Sequence, residues 1–393
     1  MEKLQCKGFK AAGISCGIKK NNLFDLGLIV SEIPSNAAAV FTKNKAVAAP
    51  VVVSKENINS KKCSAVIVNS GNANCATGKQ GIENSRITVE ETAKILGIDF
   101  SHIQVGSTGV IGQQLPVEKI ISNLKTLKSN LKNDFDDFNS AIMTTDKFKK
   151  NIVLKEKING KEVTLLAIAK GAGMIRPDMA TMLCYALTDA EIDENDIKNF
   201  LLRAVNKSFN KITVDGDTST NDTVLLMANG LSKVKIDSHE KSFAFQNMLD
   251  KALIYLSREI VRDGEGATKV VKINAVNAKS YEDAFKIVDS IAHSNLFKTA
   301  LFGEDPNWGR IIAAAGRSGA EIDPYETDIY FEDVCMMEKG FGLGHLNEEK
   351  ALEIMKRDSF EITIDLNSGT FSDYIITNDL SYEYIKINAD YRT

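Results

Sequence analysis

The stretch that most constrains this chain is KGAGMIRPDMATMLCYALTDA, residues 170–190. Two glycines near its start allow backbone conformations that other residues avoid, and Pro177 fixes one backbone dihedral angle. The apolar run at residues 182–187 is short, which is typical of a buried strand. The sequence therefore predicts a constrained loop that enters the core at Thr181, where a hydroxyl group opens a strand.

Thr181 has two interpretations from the residues alone. A β-branched residue commonly opens a strand with its hydroxyl bonded to a nearby carbonyl, which requires no chemistry. A hydroxyl held where a loop meets the core is also a good place for a nucleophile, although an internal Thr181 has no adjacent base.

Composition narrows the class of partner. The 393 residues are 44% hydrophobic and 25% charged with a net charge of −4, so no basic field favours nucleic acid or a membrane surface. Neither a leading apolar segment nor a run of transmembrane length is present, and we expect a cytoplasmic protein. The six cysteines form no C-x-x-C pair and the four histidines are dispersed, which argues against a disulfide framework or a metal site. The expected partner is a small molecule.

Short strands and helices are mixed along the whole chain, which predicts an α/β (mixed α+β) fold. Residues 163–169 are typical of a strand and residues 243–261 of a helix. The regular strand–helix alternation of a doubly wound sheet or an eightfold barrel is missing. The sequence contains no internal repeat and no low-complexity linker that would divide it.

Three local predictions concern less regular segments. VAAPVVV, residues 47–53, is predicted to be a strand, and so is Tyr382–Ile387, whose alternation would fix the C-terminal tail. Thr88 and Glu91 have capping-box spacing, which predicts a helix over residues 88–97.

The segment GSTGVIG, residues 106–112, is a strand running into a glycine loop. Thr108 and Gly109 offer a hydroxyl and an amide that could stabilise an oxyanion, and a plain turn is the other interpretation. GNANCATGK, residues 71–79, has six residues between its glycines instead of four and lacks Ser or Thr after the lysine. It is therefore not a P-loop, and we predict no mononucleotide site.

The motif KGAGMIRPDMATML, residues 170–183, closely resembles the self-cleavage site of the ornithine acetyltransferase family, also called the glutamate N-acetyltransferase or ArgJ family. Further segments that look like signatures of this family are GFKAAGISCGIKK, FTKNKAVAAPV, NSGNANCATG, GDTSTNDTVLLMANG and GEDPNWGRIIAAAGRSG. The resemblance implies that the chain cuts itself between Ala180 and Thr181, and that Thr181 then becomes the nucleophile. The freed α-amino group, with a pKa near ~8, could act as its base. This bond is then the one boundary with a functional motive, and residues 1–180 and 181–393 both supply strands that can share one core. The resemblance also implies a layered α-β-β-α sandwich.

The resemblance implies the other site residues as well. Thr108 and Gly109 match the oxyanion pair of the family. The positions that match substrate contacts, besides Thr181 itself, are Thr144, Lys170, Glu265, Asn388 and Thr393. A substrate carboxylate suits Lys170 and a free amino group suits Glu265, although such residues taken singly are usually just exposed.

These expectations define a reaction. Acetyl would pass from N2-acetyl-L-ornithine to Thr181 and then to L-glutamate by a ping-pong route, without a cofactor. The sequence leaves open whether acetyl-CoA is a second donor. The family also suggests that two α chains (residues 1–180) and two β chains (residues 181–393) form a heterotetramer. The alternatives are a self-cleaving aminopeptidase or amidase and an uncleaved metabolite-binding protein.

Overall fold

The computed structural model describes residues 3–176 and 182–390. The chain forms two compact units, and each is described by itself. Among the described residues, unit 1 contains those up to Asn210 together with residues 217–260, and unit 2 contains residues 211–216 and 261–390. Within the described ranges, no helix combines the length and the apolar character needed to cross a membrane.

The described residues form fourteen strands and eleven α-helices, which confirms the mixed α/β class. The strands of unit 1 are β1 (Phe9–Ile14), β2 (Leu26–Phe41), β3 (Lys62–Asn72), β4 (Ile103–Val110), β5 (Lys150–Ile158), β6 (Lys161–Lys170), β7 (Leu183–Thr188) and β8 (Thr223–Ala228). Its helices are α1 (Ala49–Asn57), α2 (Gly78–Leu96), α3 (Val117–Ser129), α4 (Asp136–Ile142), α5 (Ile197–Asn206) and α6 (His239–Arg262), the last of which ends in unit 2.

Unit 1 is built on one hydrogen-bonded sheet with the strand order β4-β3-β2-β8-β7-β6-β5, and β1 pairs with β2. Strands β7 and β8 run parallel to each other at the middle of this order. On one side β8 pairs antiparallel with β2, and on the other β7 pairs antiparallel with β6. Two strands that follow residue 181 in sequence therefore lie between two strands that precede it.

The sheet of unit 1 forms two packed layers because β2 changes partners along its length. Its first half pairs with β1 and β3, and its second half pairs with β8. Val66 of β3 shares a hydrophobic cluster with Leu166 of β6, whereas the next residue, Ile67, faces α2 and α3. Helix α5 contacts β2 and packs on α6 through Phe200 and Phe245, with ring centroids 5.3 Å apart. This is the predicted order of helix, strand, strand and helix layers.

Unit 2 has a six-stranded sheet with the order β12-β11-β10-β13-β9-β14. Its strands are β9 (Val270–Ala278), β10 (Asp328–Phe331), β11 (Val334–Glu338), β12 (Phe341–Gly342), β13 (Ser359–Asp365) and β14 (Phe371–Asn378). Its helices are α7 (Tyr281–Ala292), α8 (Asn295–Phe302), α9 (Trp308–Gly316), α10 (His345–Met355) and α11 (Tyr382–Asp390). Apolar side chains of α7 to α10 and of the sheet form one buried cluster.

Two predicted strands are helices. In the segment 47–53 the residues from Ala49 on belong to α1, where Pro50 lies in the first turn and its missing amide costs no hydrogen bond. Tyr382–Ile387 belongs to α11, in which no side chain is buried. The alternation of Tyr382–Ile387 thus has no sheet face to fill.

The predicted capping box is also wrong. Helix α2 begins ten residues before Thr88, at Gly78. The Thr88 hydroxyl donates to the carbonyl of Asn84 at 2.8 Å, one turn back in the same helix. Serine and threonine commonly form this bond inside a helix, so the spacing to Glu91 carried no information about the start.

Candidate active site

The predicted cleavage bond lies in the connection between β6 and β7. Ala180 and Thr181 fall outside the described residues, as does Thr393. The two strands that flank this connection pair antiparallel, with Lys170 opposite Leu183. The chain therefore leaves the sheet after Lys170 and returns to it at the neighbouring position.

Thr108 and Gly109 lie at the end of β4. There β4 runs parallel to β3, with Gly71 opposite Gly109. The φ angle of Gly109 is 131°, and an added Cβ would come within 2.4 Å of the Gly71 carbonyl carbon. A residue with a side chain could not take this position, which explains why the predicted oxyanion residue is a glycine.

A buried asparagine, Asn221, fixes the backbone next to Thr108. Its Nδ2 donates to the carbonyl of Ser107 at 2.9 Å and to that of Ala73 at 2.7 Å. Asn221 belongs to the polar loop before β8, to which sequence analysis gave no role. More than a hundred residues separate it from Ser107, so no spacing in the sequence could reveal the contact.

Lys170 joins the predicted oxyanion and substrate residues of unit 1. Its Nζ donates to Thr108 Oγ1 at 3.1 Å and to Thr144 Oγ1 at 3.0 Å. Lys170 is the last residue of β6 and its side chain is buried. The fold thus places three of the predicted residues in contact at the entry to the β6–β7 connection, while their roles remain predictions.

Asp146 organises this cluster, and sequence analysis missed it. Its carboxylate accepts hydrogen bonds from the Lys150 ammonium at 2.7 Å, from the Gly171 amide at 2.8 Å and from the Thr144 amide at 2.9 Å. Burial raises the pKa of this carboxyl, but the charges of Lys170 and Lys150 outweigh burial and hold the pKa well below its usual range. Asp146 is therefore an anion that ties the loop before β5 to the first amide after Lys170.

Lys19 is a second residue that the sequence did not single out. Its ammonium donates to the carbonyls of Met143 at 2.6 Å and Phe24 at 2.8 Å. Burial lowers the pKa of Lys19 to about 8, Asp25 opposes this shift, and the charge of Lys170 adds to it. Lys19 consequently lies close enough to Lys170 for the two cations to repel each other.

The chemistry of this cluster suits an acyl group attached to an anionic molecule. Hydroxyl groups and a constrained glycine can stabilise negative charge that develops on an acyl oxygen. The three ammonium groups of Lys19, Lys150 and Lys170 outnumber the two carboxylates of Asp25 and Asp146, which gives the surroundings a positive potential. No group of three or more His, Cys, Asp or Glu side chains suited to a metal ion occurs in residues 3–176 and 182–390.

In unit 2 the fold brings together the two predicted residues Glu265 and Asn388. The Asn388 Nδ2 donates to Glu265 Oε2 at 2.9 Å and to the carbonyl of Tyr384 at 3.0 Å. The Ser381 hydroxyl donates to the carbonyl of Gly266 at 2.7 Å and accepts from the Tyr384 amide, as a helix cap does. The start of α11 is thereby attached to the loop that carries Glu265.

A buried lysine, Lys298, supports this region of unit 2. Its Nζ donates to the carbonyl of Val214 at 2.7 Å, to Asn378 Oδ1 at 2.8 Å and to Thr377 Oγ1 at 2.9 Å. Burial lowers the pKa of Lys298 to about 7, although the negative charge of nearby aspartates opposes the shift. Lys298 fixes the end of β14, three residues before Ser381.

The family follows from comparison with known proteins. The sequence model of the ArgJ family matches residues 10–393, nearly the whole chain. The chain is 46% identical to the arginine biosynthesis bifunctional protein ArgJ of Syntrophotalea carbinolica over 99% of this chain and 100% of that one. The chain therefore belongs to the ArgJ family.

Two further relatives extend the comparison. The glutamate N-acetyltransferase of Methanocaldococcus jannaschii is 44% identical over 98% of this chain and 97% of its own. A crystal structure of the arginine biosynthesis bifunctional protein ArgJ from Bacillus halodurans is 42% identical, covering 44% of this chain and 91% of that chain with a TM-score of 0.42. Because this structural likeness spans less than half of the chain, the family assignment rests on the full-length sequence matches.

Proposed function

We propose that the chain is a glutamate N-acetyltransferase that moves an acetyl group from N2-acetyl-L-ornithine to L-glutamate. The observation that carries this proposal is the Lys170 ammonium, which contacts the hydroxyls of Thr108 and Thr144 beside the connection that contains Ala180 and Thr181. Membership of the ArgJ family supports it, since a full-length relative bears the name of this activity.

The first step is self-cleavage. Thr181 Oγ attacks the carbonyl carbon of Ala180, the peptide C–N bond breaks, and the hydroxyl proton passes to the departing nitrogen. Water hydrolyses the resulting ester, which leaves a carboxylate on Ala180 and a free hydroxyl and α-amine on Thr181. Thr108 and Gly109 stabilise the oxyanion of the tetrahedral intermediate, and the α-amine, with a pKa near ~8, becomes the base.

Acetyl transfer repeats this chemistry on a bound substrate. Thr181 Oγ attacks the acetyl carbonyl of N2-acetyl-L-ornithine, the bond to the ornithine nitrogen breaks, and ornithine leaves as the amine. The α-amine of glutamate then attacks the acetyl-Thr181 ester and restores the hydroxyl, which makes the route ping-pong. Besides Thr181, the residues proposed to bind substrate are those the resemblance implies: Thr144, Lys170, Glu265, Asn388 and Thr393.

The sheet of unit 1 supports lasting association of the two products of cleavage. Strands β7 and β8 belong to residues 181–393 and pair on both sides with strands of residues 1–180. Separating the products would break two antiparallel ladders in a buried sheet. We extend the proposal to a cytoplasmic heterotetramer of two α and two β chains that needs no bound cofactor.

A separate question is whether the enzyme accepts acetyl-CoA as a second acetyl donor. Relatives of nearly equal identity are named a bifunctional ArgJ protein and a glutamate N-acetyltransferase, so their names do not decide whether acetyl-CoA also donates. Glutamate acetylation should be measured with N2-acetyl-L-ornithine and with acetyl-CoA in turn. Product from both donors would make the enzyme bifunctional.

Mass spectrometry and an acetyl-transfer assay test the central proposal together. Purified wild-type protein should consist of residues 1–180 and 181–393, whereas Thr181→Ala should remain one chain of 43.0 kDa and lose transfer. The exposed Thr370→Ala is the matched control and should behave as wild type. Cleavage at the same bond in Thr181→Ala would refute the mechanism. Cleaved protein that hydrolyses amides without acetylating glutamate would indicate the aminopeptidase or amidase alternative, and uncut wild type would favour a binding protein.

A further inference from the structure

Lys19 has an unused capacity to bind a ligand. Its half-buried ammonium donates to two backbone carbonyls, those of Met143 and Phe24. Within residues 3–176 and 182–390, it has neither a third hydrogen-bond acceptor nor a carboxylate in ion-pair range. A lysine ammonium has three N–H groups, so one N–H of Lys19 remains available.

The position of Lys19 connects the two parts of the candidate site in unit 1. Its stem covers Gly71, since a Cβ added to that glycine would lie 2.9 Å from Lys19 Cγ. Gly71 is paired with Gly109, the predicted oxyanion residue. The carbonyl that accepts from the Lys19 ammonium belongs to Met143, the residue before Thr144. Lys19 therefore lies between the oxyanion end of β4 and the Lys170–Thr144 contact.

The carboxylates near Lys19 are already engaged by other donors. Asp25 accepts from the amides of Cys16 and Ile18 at 2.6 Å each and from the Lys19 amide at 2.8 Å. Asp146 forms a fully buried ion pair with Lys150 at 2.7 Å. The charges of both carboxylates act on the Lys19 ammonium, but neither carboxylate occupies its remaining N–H, so an anionic ligand could accept from that N–H without displacing an ion pair.

We infer that Lys19 is a substrate-binding residue that, with Lys170, binds the α-carboxylate shared by N2-acetyl-L-ornithine and L-glutamate. The inference rests on the proposed function. The α-carboxylate is attached to the carbon that carries the reacting nitrogen, so it must lie near the oxyanion residues. The side chains of the two substrates end in opposite charges, and only the α-carboxylate can use the same cations in both half-reactions.

The test compares substrates with and without this carboxylate. Lys19→Met keeps the apolar stem over Gly71 and removes the charge, and Lys20→Met removes an equal charge from an exposed neighbour. For N2-acetyl-L-ornithine we expect Lys19→Met to raise KM about tenfold with little change in kcat, as loss of one charge-assisted hydrogen bond would. For the α-carboxamide of the same substrate we expect less than about a twofold change, and Lys20→Met should alter neither.

A second measurement keeps this test separate from the proposed function. Calorimetric titration with L-ornithine and with L-ornithinamide requires no turnover, and Lys19→Met should weaken only the first. If wild type transfers no acetyl group, the proposed reaction fails while this titration still tests Lys19. Equal losses of affinity for L-ornithine and L-ornithinamide would show that Lys19 only supports Met143. Unchanged affinity for L-ornithine would show that Lys19 is not part of the site. Either result overturns the inference.

Discussion

The Lys170 cluster of unit 1 and the Glu265–Asn388 pair of unit 2 are held in place by different means. In unit 1 Thr108 and Lys170 project from the ends of paired strands, and Asp146, in the loop before β5, accepts hydrogen bonds from Lys150 and from the amides of Thr144 and Gly171 in a buried setting. In unit 2 the pair depends on one hydrogen bond of 2.9 Å to α11, a terminal helix without a buried side chain. Strand ends and a buried ion pair fix the first cluster, and a helix cap fixes the second.

This difference predicts how strongly a single substitution in each site lowers stability and activity. In unit 1 the members share donors and acceptors, so removal of one leaves buried partners unsatisfied, which is costly. In unit 2 Glu265 is buried but Asn388 is exposed, so water can take the place of a lost Asn388 side chain. We therefore expect larger losses from changes in the Lys170 cluster than from changes at Asn388.

Asp146→Asn should have the largest effect. The variant leaves the ammonium of Lys150 buried without its counter-ion, and breaking such a pair typically costs about 3–5 kcal/mol of unfolding free energy. Self-cleavage and transfer should both fall, because Asp146 also holds the Gly171 and Thr144 amides. Denaturant unfolding measures the loss of stability. Mass spectrometry and the acetyl-transfer assay measure the losses of self-cleavage and of transfer.

The control for that experiment is Asp136→Asn. Asp136 also lies 2.7 Å from a lysine, Lys149, but this ion pair is exposed. Exposed pairs contribute about 0–1 kcal/mol, so the control should unfold almost as wild type does. Equal stability of the two variants would contradict the view that the cluster depends on Asp146.

Thr108→Ala should have the next largest effect. Loss of one oxyanion donor typically lowers kcat by roughly 10²–10³-fold, and KM should change much less. Thr108→Ser keeps the hydroxyl and should recover most of the rate. An unchanged kcat in Thr108→Ala would remove Thr108 from the oxyanion site.

Deletion of residues 388–393 should weaken acetyl transfer by roughly ten- to a hundredfold and leave self-cleavage largely intact, since transfer alone needs a positioned substrate. The single substitution Asn388→Ala, which removes the contact with Glu265, should show a smaller rise in KM. Lys386→Ala, at an exposed position of the same helix, serves as the control. A truncated enzyme with normal kcat/KM would show that the tail takes no part, and loss of cleavage as well would show that α11 supports folding.

The last prediction concerns the pH dependence of stability. The pKa of Lys298 is lowered to about 7 in the folded protein, whereas an unfolded lysine titrates near ~10.4. Between these values the unfolded state binds more protons, so Lys298 makes the unfolding free energy rise with pH, by up to about 1.4 kcal/mol per unit. Between pH 7 and 9 the unfolding free energy of Lys298→Met, measured by thermal or urea unfolding, should rise less steeply than that of the wild type. An identical slope would mean that Lys298 stays charged throughout this range.

The parts of the site that sequence predicts are those carried by contiguous motifs. Thr108 and Gly109 stand together in one glycine-bearing segment, and Lys170 opens the stretch that ends at the strand after Thr181. Asp146 had a readable signal, since it follows Thr144 by two residues and precedes Lys150 by four. Nothing in the sequence pairs Lys19 with Met143, which is 124 residues away, because only the folded sheet brings them together.

The two wrong strand predictions have different physical causes. A short segment with alternating side chains satisfies both a strand and an exposed helix, and only burial distinguishes them. Tyr382–Ile387 buries nothing, and the signal that mattered was Ser381, a good helix N-cap. At residues 47–53 the β-branched valines favoured a strand, while Pro50 favoured a helix start.

The placement of β7 and β8 between β2 and β6 has a kinetic consequence. Before the proposed cleavage, one covalent connection keeps β6 and β7 at a high effective concentration. Afterwards the same ladders join two molecules, so recovery from denaturation becomes a second-order reaction whose rate falls with dilution. The uncut Thr181→Ala chain should regain its fold at a rate independent of concentration. The cleaved enzyme would thus remain folded under native conditions but would refold slowly after denaturation in dilute solution.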